Sequence, residues 1–238
     1  MYKFNFASDL IASHPDKAPL IFWGALILIA AVGYLLGSVN TGIILSRTVF
    51  HDDIREHGSG NAGATNMLRT HGTISGVLTL VGDALKAFCA VLLGALAMNI
   101  LGAYVAGLFC IVGHIFPLYY GFRGGKGVVV TATMIACTNI RVFVIVLIIF
   151  LILVIGTKFI SLGSVISAAV YPLILFKLTS ASVSSAYDYV GVLIAFIIAA
   201  LIVWKHRENI KRIYNHTENK ISFTKKGKSE DKKGITDK

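Results

Sequence analysis

The first chemically suggestive feature of the sequence is a polar, glycine-rich stretch at residues 53–69, between two apolar segments. Gly58, Gly60 and Gly63 permit unusual backbone angles and let an anion approach the main-chain N–H groups ahead of a helix. The stretch adds neutral donors and two guanidinium groups, namely Ser59, Asn61, Thr65, Asn66, Arg55 and Arg69. It matches neither glycine motif of nucleotide-binding folds. We predict a phosphate-binding loop, with a flexible linker between helices as the alternative.

A second polar stretch begins near His114 and ends in a glycine-rich turn that contains a lysine. Lys126 stands between Gly125 and Gly127, immediately before the next apolar segment. This position suits a cation that serves a phosphate at the membrane surface, and it is also typical of a positively charged cytoplasmic anchor. His114 is either a substrate ligand or a histidine that is hydrogen-bonded at a helix end.

A third polar stretch, His206–Arg212, follows the last apolar segment. On a helix, His206 and Asn209 are three residues apart and share a face. The neighbouring Arg207 and Lys211 are typical of lipid-headgroup anchors. If the stretch is helical, one of its faces therefore carries the side chains of both His206 and Asn209.

Charged residues inside the apolar segments are scarce. Asp83 is the only Asp or Glu between residues 57 and 187, and Lys86, three residues later on a helix, can pair with it. The sequence has no HxxxxD, GxSxG or HExxH motif, and its three cysteines are not spaced as a metal site. We expect no metal and no cofactor. We expect a site with many donors, few cations and almost no negative charge, which suits an anionic substrate that brings its own activation.

Long apolar segments separate these stretches. Of the 238 residues, 55% are hydrophobic and 14% charged, against about 25% charged in an ordinary soluble domain. This composition excludes a soluble domain, a disordered chain and a disulfide-stapled secreted domain. The apolar segments lie at 20–45, 73–98, 102–120, 131–156, 162–175 and 190–204. Because 131–156 is interrupted at Thr138 and Asn139, we count six or seven helices and favour seven, in an all-α integral membrane bundle.

The distribution of positive charge predicts the orientation of the helices. With the N-terminus outside, the loops and tail on one side carry 17 Lys and Arg, and the opposite loops carry four. Since positive loops stay in the cytoplasm, we expect a cytoplasmic C-terminus. The net charge of +10 then reflects topology and anionic headgroups, not nucleic acid. We divide the chain into a periplasmic segment 1–19, a transmembrane domain 20–212 and a basic, disordered cytoplasmic tail 213–238.

In this order, the polar stretches resemble the bacterial PlsY family, the acyl-phosphate-dependent glycerol-3-phosphate acyltransferases of the cytoplasmic membrane. The match also includes Gly37–Asn40, Gly82–Lys86 and Ser161–Ser164, and it covers residues 20–220. The chain departs from the family pattern at four places, which are Asn40 in place of Pro, Ala87 in place of Gly, Val128–Val130 before Thr131 where the family usually has Val-Ala-Thr, and His216 in place of Gly. None of these residues is one to which we assign a charge-bearing role.

The resemblance implies transfer of a fatty acyl group from acyl phosphate to the sn-1 hydroxyl of glycerol 3-phosphate. The products are lysophosphatidic acid and inorganic phosphate. On this basis the catalytic set is Ser59, Arg69, Lys126, His206 and Asn209. The substrate-binding set is Ser38, Arg55, Gly58, Gly60, Asn61, Gly63, Thr65, Asn66, His114, Gly125, Gly127, Ser161 and Ser164. The departing phosphate can take the hydroxyl proton, and a histidine base, His206 or His114, is the competing hypothesis.

The expected partners are acyl phosphate, glycerol 3-phosphate and membrane lipids, together with the enzymes that form acyl phosphate and that acylate lysophosphatidate. The expected location is the bacterial inner membrane, with the active site on the cytoplasmic face. Two alternatives stay open. A transporter of small phosphorylated solutes would need polar residues along a path through the bilayer. A non-catalytic scaffold would use the basic tail but would leave the glycine-rich loops without a purpose.

Overall fold

The structure, a computed structural model, describes residues 5–180 and 186–221, with only the backbone of residues 186–188. Its α-helices are α1 (Phe6–Ser13), α2 (Ala18–Ser38), α3 (Thr41–Val49), α4 (Ala64–Ile115), α5 (Val128–Thr138), α6 (Ile140–Thr157), α7 (Ile160–Ser180), α8 (Ala186–Lys205) and α9 (Arg207–Tyr214). Short 3-10 turns lie at Pro15–Lys17, Ile54–Glu56 and Leu118–Tyr120. The described residues contain no β-strand, which confirms the predicted all-α class. Most of the predicted tail, 222–238, lies outside the described residues.

Helix α4 is folded back on itself. Its backbone leaves helical geometry at Gly72, where φ is 85°, and again at Met98 and Asn99. A Cβ built on Gly102 would lie 2.0 Å from the carbonyl oxygen of Gly94, whereas residues eight apart in a straight helix are separated by about 12 Å. The chain therefore reverses at Met98–Asn99. The two arms of α4 correspond to the second and third apolar segments of the sequence.

Glycines hold α2 tightly against α4. A Cβ on Gly37 would lie 2.1 Å from the carbonyl oxygen of Cys110, and a Cβ on Gly113 would lie 2.2 Å from that of Tyr34. Only glycine lets two helix backbones approach this closely, as is common between membrane helices. This contact anchors the end of α2 beside the second arm of α4, just before the polar loops begin.

Asn139 separates α5 from α6. Its backbone is extended, with φ at −154°, and its side chain accepts a hydrogen bond of 3.1 Å from the amide of Val142. An asparagine in this role caps the N-terminus of the following helix. The interrupted apolar segment is therefore a short helix that turns into a longer one, which was one of the two alternatives predicted from the sequence.

Length and composition allow several helices to cross a membrane. Among the described residues, four stretches meet this requirement, and they are Pro15–Val49, Ala64–Tyr120, Ile140–Thr157 and Ile160–Ser180. The pair Tyr189–Lys205 and Arg207–Tyr214, bent by 53°, adds a fifth if it is counted as one span. The second stretch contains the reversal of α4, and α5 is apolar but has only 11 residues. The architecture is that of a polytopic membrane protein.

The three polar stretches converge at one end of the helical bundle. Lys126 donates a hydrogen bond to Asn209, and Arg69 Nη2 donates one of 3.2 Å to the carbonyl oxygen of Asn219. The N-terminal helix α1 packs at the other end, against the reversal of α4. The chain thus gathers its polar loops on one side of the apolar body.

Candidate active site

A cavity of about 720 Å³ opens at the polar end of the bundle. Its mouth carries polar side chains, namely Ser59, Asn61, Thr65, Asn66, Arg69, Lys126, Ser161, Ser164, His206, Asn209, Arg212 and Glu218. The rest of its wall is mainly apolar and includes Val77, Leu80, Val129, Phe143, Leu147 and Phe150. All members of the predicted catalytic set line this one cavity. A ligand with an anionic head and a long apolar chain would match both parts of the wall.

The glycine-rich loop is folded around the side chain of Asn66. Its Oδ1 accepts a 2.9 Å hydrogen bond from the amide of Ser59, and its Nδ2 donates to the carbonyl oxygens of Ile54 and His57 at 3.1 and 2.9 Å. Gly58 has a φ of +59°, and a Cβ there would lie 2.4 Å from Asn66 Oδ1. Asn66 thus fixes Ser59 at the cavity mouth. Position 58 requires glycine, because the loop passes close to the Asn66 side chain there with a positive φ.

Arg55 ties this loop to the second polar stretch. Its guanidinium donates to both carboxylate oxygens of Asp53, at 2.9 and 2.7 Å, and to the carbonyl oxygens of Tyr120 and Arg123 at 2.7 and 3.1 Å. The hydrogen bonds from Arg55 hold the pKa of Asp53 well below its usual range. Arg55 therefore joins two loops and does not line the cavity.

Five residues of the predicted substrate-binding set lie outside the cavity wall, namely Ser38, Arg55, Gly58, Gly60 and Gly125. Ser38 donates to the carbonyl oxygen of Tyr34 at 2.8 Å and accepts from the amide of Leu118 at 3.2 Å. A Cβ built on Gly125 would lie 2.1 Å from His114 Nε2, so the backbone of Gly125 packs directly against this ring. In this structure these residues contact other parts of the protein and shape the loops.

A hydrogen-bonded chain crosses the cavity mouth. Lys126 Nζ donates to Asn209 Oδ1, and Asn209 Nδ2 donates to Glu218 Oε1 at 2.6 Å. Glu218 also accepts from Ser161 Oγ at 2.8 Å and from Arg212 Nε at 2.7 Å. The side chain of Glu218 is 5% exposed. One carboxylate therefore orients three side chains around the predicted cation.

Burial and charge set the protonation of this chain. Burial lowers the pKa of Lys126 to about 8, the charge of Arg212 acts in the same direction, and the charge of Glu218 opposes it. Burial alone would raise the pKa of Glu218, but the hydrogen bonds from Arg212, Asn209 and Ser161 outweigh it and the pKa is lowered. Near neutral pH, Lys126 is therefore cationic and Glu218 anionic.

The expectation of a site almost without negative charge is wrong at Glu218. The chain is poor in acid between residues 57 and 187, but the segment after α9 folds back and inserts this carboxylate into the cavity mouth. Arg212 continues the spacing of three that begins at His206 and Asn209, so the helical period could have identified it. Glu218 follows the end of α9, and no local pattern indicates its position.

His206, which lies between α8 and α9, is held in a defined state by the end of α8. Its Nδ1 lies 2.8 Å from the carbonyl oxygen of Ile202, and since a carbonyl oxygen only accepts, Nδ1 carries the hydrogen. In the neutral ring Nε2 then keeps a free lone pair. His206 is 3% exposed and lines the cavity, so this lone pair is the one that a substrate hydroxyl can meet.

The predicted pair of charges on α4 forms a buried cluster with a histidine. Lys86 Nζ lies 2.9 Å from Asp83 Oδ1, which confirms the expected ion pair. The same Nζ lies 2.9 Å from His114 Nδ1. Asp83 and His114 both line the cavity. Within the described residues, no group of three or more His, Cys, Asp or Glu side chains is arranged to hold a metal ion.

Comparison with known proteins gives a consistent result. The profile of the family described as glycerol-3-phosphate acyltransferase matches residues 27–216. A glycerol-3-phosphate acyltransferase of Clostridioides difficile is 37% identical over 205 residues, which cover 84% of this chain and 97% of the relative. One from Carboxydothermus hydrogenoformans is 38% identical over 202 residues, 85% of this chain and 100% of the relative.

Two crystal structures of PlsY (YgiH), an integral membrane glycerol 3-phosphate acyltransferase, resemble the whole fold. The glycerol 3-phosphate form has a TM-score of 0.75 and 30% identity, and covers 83% of this chain and 96% of that one. The lysophosphatidic acid form has a TM-score of 0.73 and 29% identity, with 83% and 95% covered. The similarity therefore extends over nearly the full length of the solved proteins.

Proposed function

The chain belongs to the glycerol-3-phosphate acyltransferase family, and from this premise we propose that its cavity moves a fatty acyl group from acyl phosphate to the sn-1 hydroxyl of glycerol 3-phosphate. Family membership confirms the predicted acyltransferase and its acceptor substrate. The observation that carries the proposal is a cavity that combines a cationic, donor-rich mouth with an apolar wall. Phosphate groups fit the mouth, and a fatty chain fits the wall.

We assign two phosphate-binding regions to the mouth. The loop from Ser59 to Arg69 holds the phosphate of acyl phosphate, with backbone amides at the start of α4 as additional donors. Glycerol 3-phosphate is held by Lys126, Ser164, His206 and Asn209, with Ser161 as a neighbour. Both groups line the same cavity, which supports a direct transfer between substrates held side by side.

The chemistry needs little from the protein beyond position and charge. The hydroxyl oxygen attacks the acyl carbon, the bond from that carbon to the phosphate oxygen breaks, and the departing phosphate takes the hydroxyl proton. The products are an ester and inorganic phosphate. Cations and N–H donors stabilise the charge on the leaving phosphate. His206 as general base is the competing version, since its Nε2 is free to accept a proton.

The proposed topology has seven membrane-embedded helices, namely α2, the two arms of α4, α5, α6, α7 and α8. The N-terminus is outside and the polar end is cytoplasmic, in a bacterial inner membrane. The asymmetry of positive loops supports this orientation. Residues 1–19 are a periplasmic segment, 20–212 the acyltransferase domain and 213–238 a cytoplasmic tail whose first part returns to the cavity mouth at Glu218. Further partners are the enzymes that make acyl phosphate and that acylate the product.

The reaction is tested with purified protein in detergent that receives acyl phosphate and glycerol 3-phosphate. We expect phosphate release that depends on glycerol 3-phosphate, together with the appearance of lysophosphatidic acid. Acyl-CoA in place of acyl phosphate is the matched control and is expected to be inactive. Phosphate release that is independent of glycerol 3-phosphate, or equal turnover with acyl-CoA, would contradict the proposed donor and reaction.

A further inference from the structure

Lys86 is surrounded by three groups that accept hydrogen bonds. Its Nζ lies 2.9 Å from Asp83 Oδ1, 2.6 Å from the carbonyl oxygen of Val39 and 2.9 Å from His114 Nδ1. Lys86 is 8% exposed and His114 is 3% exposed. A lysine ammonium has three N–H donors and no acceptor. Two of these contacts, with Val39 and His114, are hydrogen bonds, and the contact with Asp83 is an ion pair in which Oδ1 has no hydrogen-bond partner among the described residues.

The contact with Lys86 decides which nitrogen of His114 carries the hydrogen. Because the ammonium can only donate, Nδ1 must accept with its lone pair, and the neutral ring then carries its hydrogen on Nε2. Asp83 Oδ1 is 3.7 Å from Nδ1, which is beyond hydrogen-bond distance. The carboxylate therefore does not compete for a hydrogen at Nδ1.

We propose that Lys86 is a positioning residue that holds His114 in the tautomer with hydrogen on Nε2, so that His114 donates a hydrogen bond to an anionic oxygen of a substrate. His114 lines the cavity, and its Nε2 faces the backbone of Gly125, where a Cβ would lie 2.1 Å away. The ring thus lies beside the loop that carries Lys126. The inference rests on the proposed function, since the substrate oxygen belongs to one of the two phosphate compounds.

This tautomer separates the two buried histidines by role. His114 has no lone pair on Nε2 and is therefore a donor, which removes it as a candidate general base. His206 has the opposite arrangement, since its Nδ1 donates to Ile202 and its Nε2 is free. Asp83 supports this tautomer of His114 indirectly, because its ion pair with Lys86 keeps the ammonium directed at the histidine ring.

The tautomer is tested by nitrogen NMR of wild-type protein labelled with 15N-histidine, in detergent and without substrate. The variant His114→Gln assigns the signals of this ring. We expect an unprotonated Nδ1 and a protonated Nε2. A hydrogen on Nδ1 of His114 would overturn the proposal. Since the measurement involves no turnover, a failure of the acyltransferase assay with the expected tautomer would contradict the proposed function alone.

The role of Lys86 is tested by Lys86→Met, with Lys177→Met as the matched control. Lys177 is exposed on α7 and does not line the cavity, so its replacement should leave turnover unchanged. Lys86→Met should release the ring into a mixture of tautomers and lower kcat/KM roughly tenfold to hundredfold. A folded Lys86→Met protein with an unchanged ring signal and unchanged kcat/KM would refute the role. If the variant does not fold, the wild-type spectrum still decides the tautomer.

Discussion

In the proposed reaction, Lys126 is the residue that contributes most to binding the charged phosphate of the substrate. It is half-buried at the mouth of the cavity, where it donates a hydrogen bond to Asn209. Replacing it with Met removes the ammonium and keeps the length of the side chain. We expect kcat/KM for glycerol 3-phosphate to fall by about a hundredfold or more, since a charged hydrogen bond to phosphate is lost. The control is Lys211→Met, whose side chain is 70% exposed; equal losses in both variants would contradict the assignment.

The pH dependence of the reaction follows from the same residue. Burial lowers the pKa of Lys126 to about 8, so the ammonium is present below that pH and is lost above it. We expect kcat/KM for glycerol 3-phosphate to decline as the pH rises through about 8. Lys126→Arg should move this decline to higher pH, because a guanidinium stays charged. An unchanged profile in Lys126→Arg would show that another group causes the decline.

Glu218 contributes through the groups that it orients. Its charge raises the pKa of Lys126, so Glu218→Ala should lower that pKa further and move the alkaline decline of kcat/KM to lower pH. The KM for glycerol 3-phosphate should rise about tenfold, because Asn209 and Arg212 lose a buried acceptor. Glu218→Gln keeps an acceptor oxygen and should recover part of the KM but not the pH shift. A loss that is identical in both variants, with no shift of the profile, would indicate a purely structural role.

At the scale of the helices, glycine contacts decide where the polar loops begin. A Cβ on Gly37 would lie 2.1 Å from a backbone oxygen of α4, whereas a Cβ on Gly24, on the same helix, would have no atom within 4 Å. We expect Gly37→Ala to destabilise the protein by about 1–3 kcal/mol and Gly24→Ala to leave it unchanged or slightly more stable. Thermal unfolding in detergent measures both, and similar melting temperatures would argue against close packing of α2 on α4.

The helices themselves were largely predictable, because hydrophobicity is a local property of the chain. The apolar segments correspond to helices, and the interruption at Asn139 is the cap of α6. The reversal at Met98 and Asn99 falls at the end of one predicted segment, 73–98, just before the next one begins. The kink at Gly72 was not predicted, since a single glycine has no distinct apolar signature. The break at Val39 and Asn40, which divides the predicted segment 20–45 between α2 and α3, was not predicted either.

At the scale of the whole molecule, the polar end and the N-terminal helix lie on opposite sides of the apolar body. We expect Ser13→Cys to react with a membrane-impermeant thiol reagent in intact cells, and Lys220→Cys to react only after the membrane is permeabilised. The background protein carries Ala in place of Cys89, Cys110 and Cys137, so that only the introduced thiol reacts. Labelling of Lys220→Cys in intact cells would contradict the proposed cytoplasmic active site.

The sequence by itself determined the membrane class, the all-α fold, the polar stretches and the family resemblance. These depend on composition and on short motifs, which act locally along the chain. All members of the predicted catalytic set line one cavity. The motifs alone did not show which predicted site residues instead form hydrogen bonds within the protein, as Arg55 and Ser38 do.

Only the tertiary structure decided the remaining features of the site. Glu218 enters the mouth because the chain folds back after α9, and Lys86 meets His114 because the two arms of α4 run side by side. Residues that are 28 positions apart along the chain have no local pattern that links them. Their hydrogen bonds, and therefore the tautomer and the charge at the site, arise from packing that no stretch of sequence contains by itself.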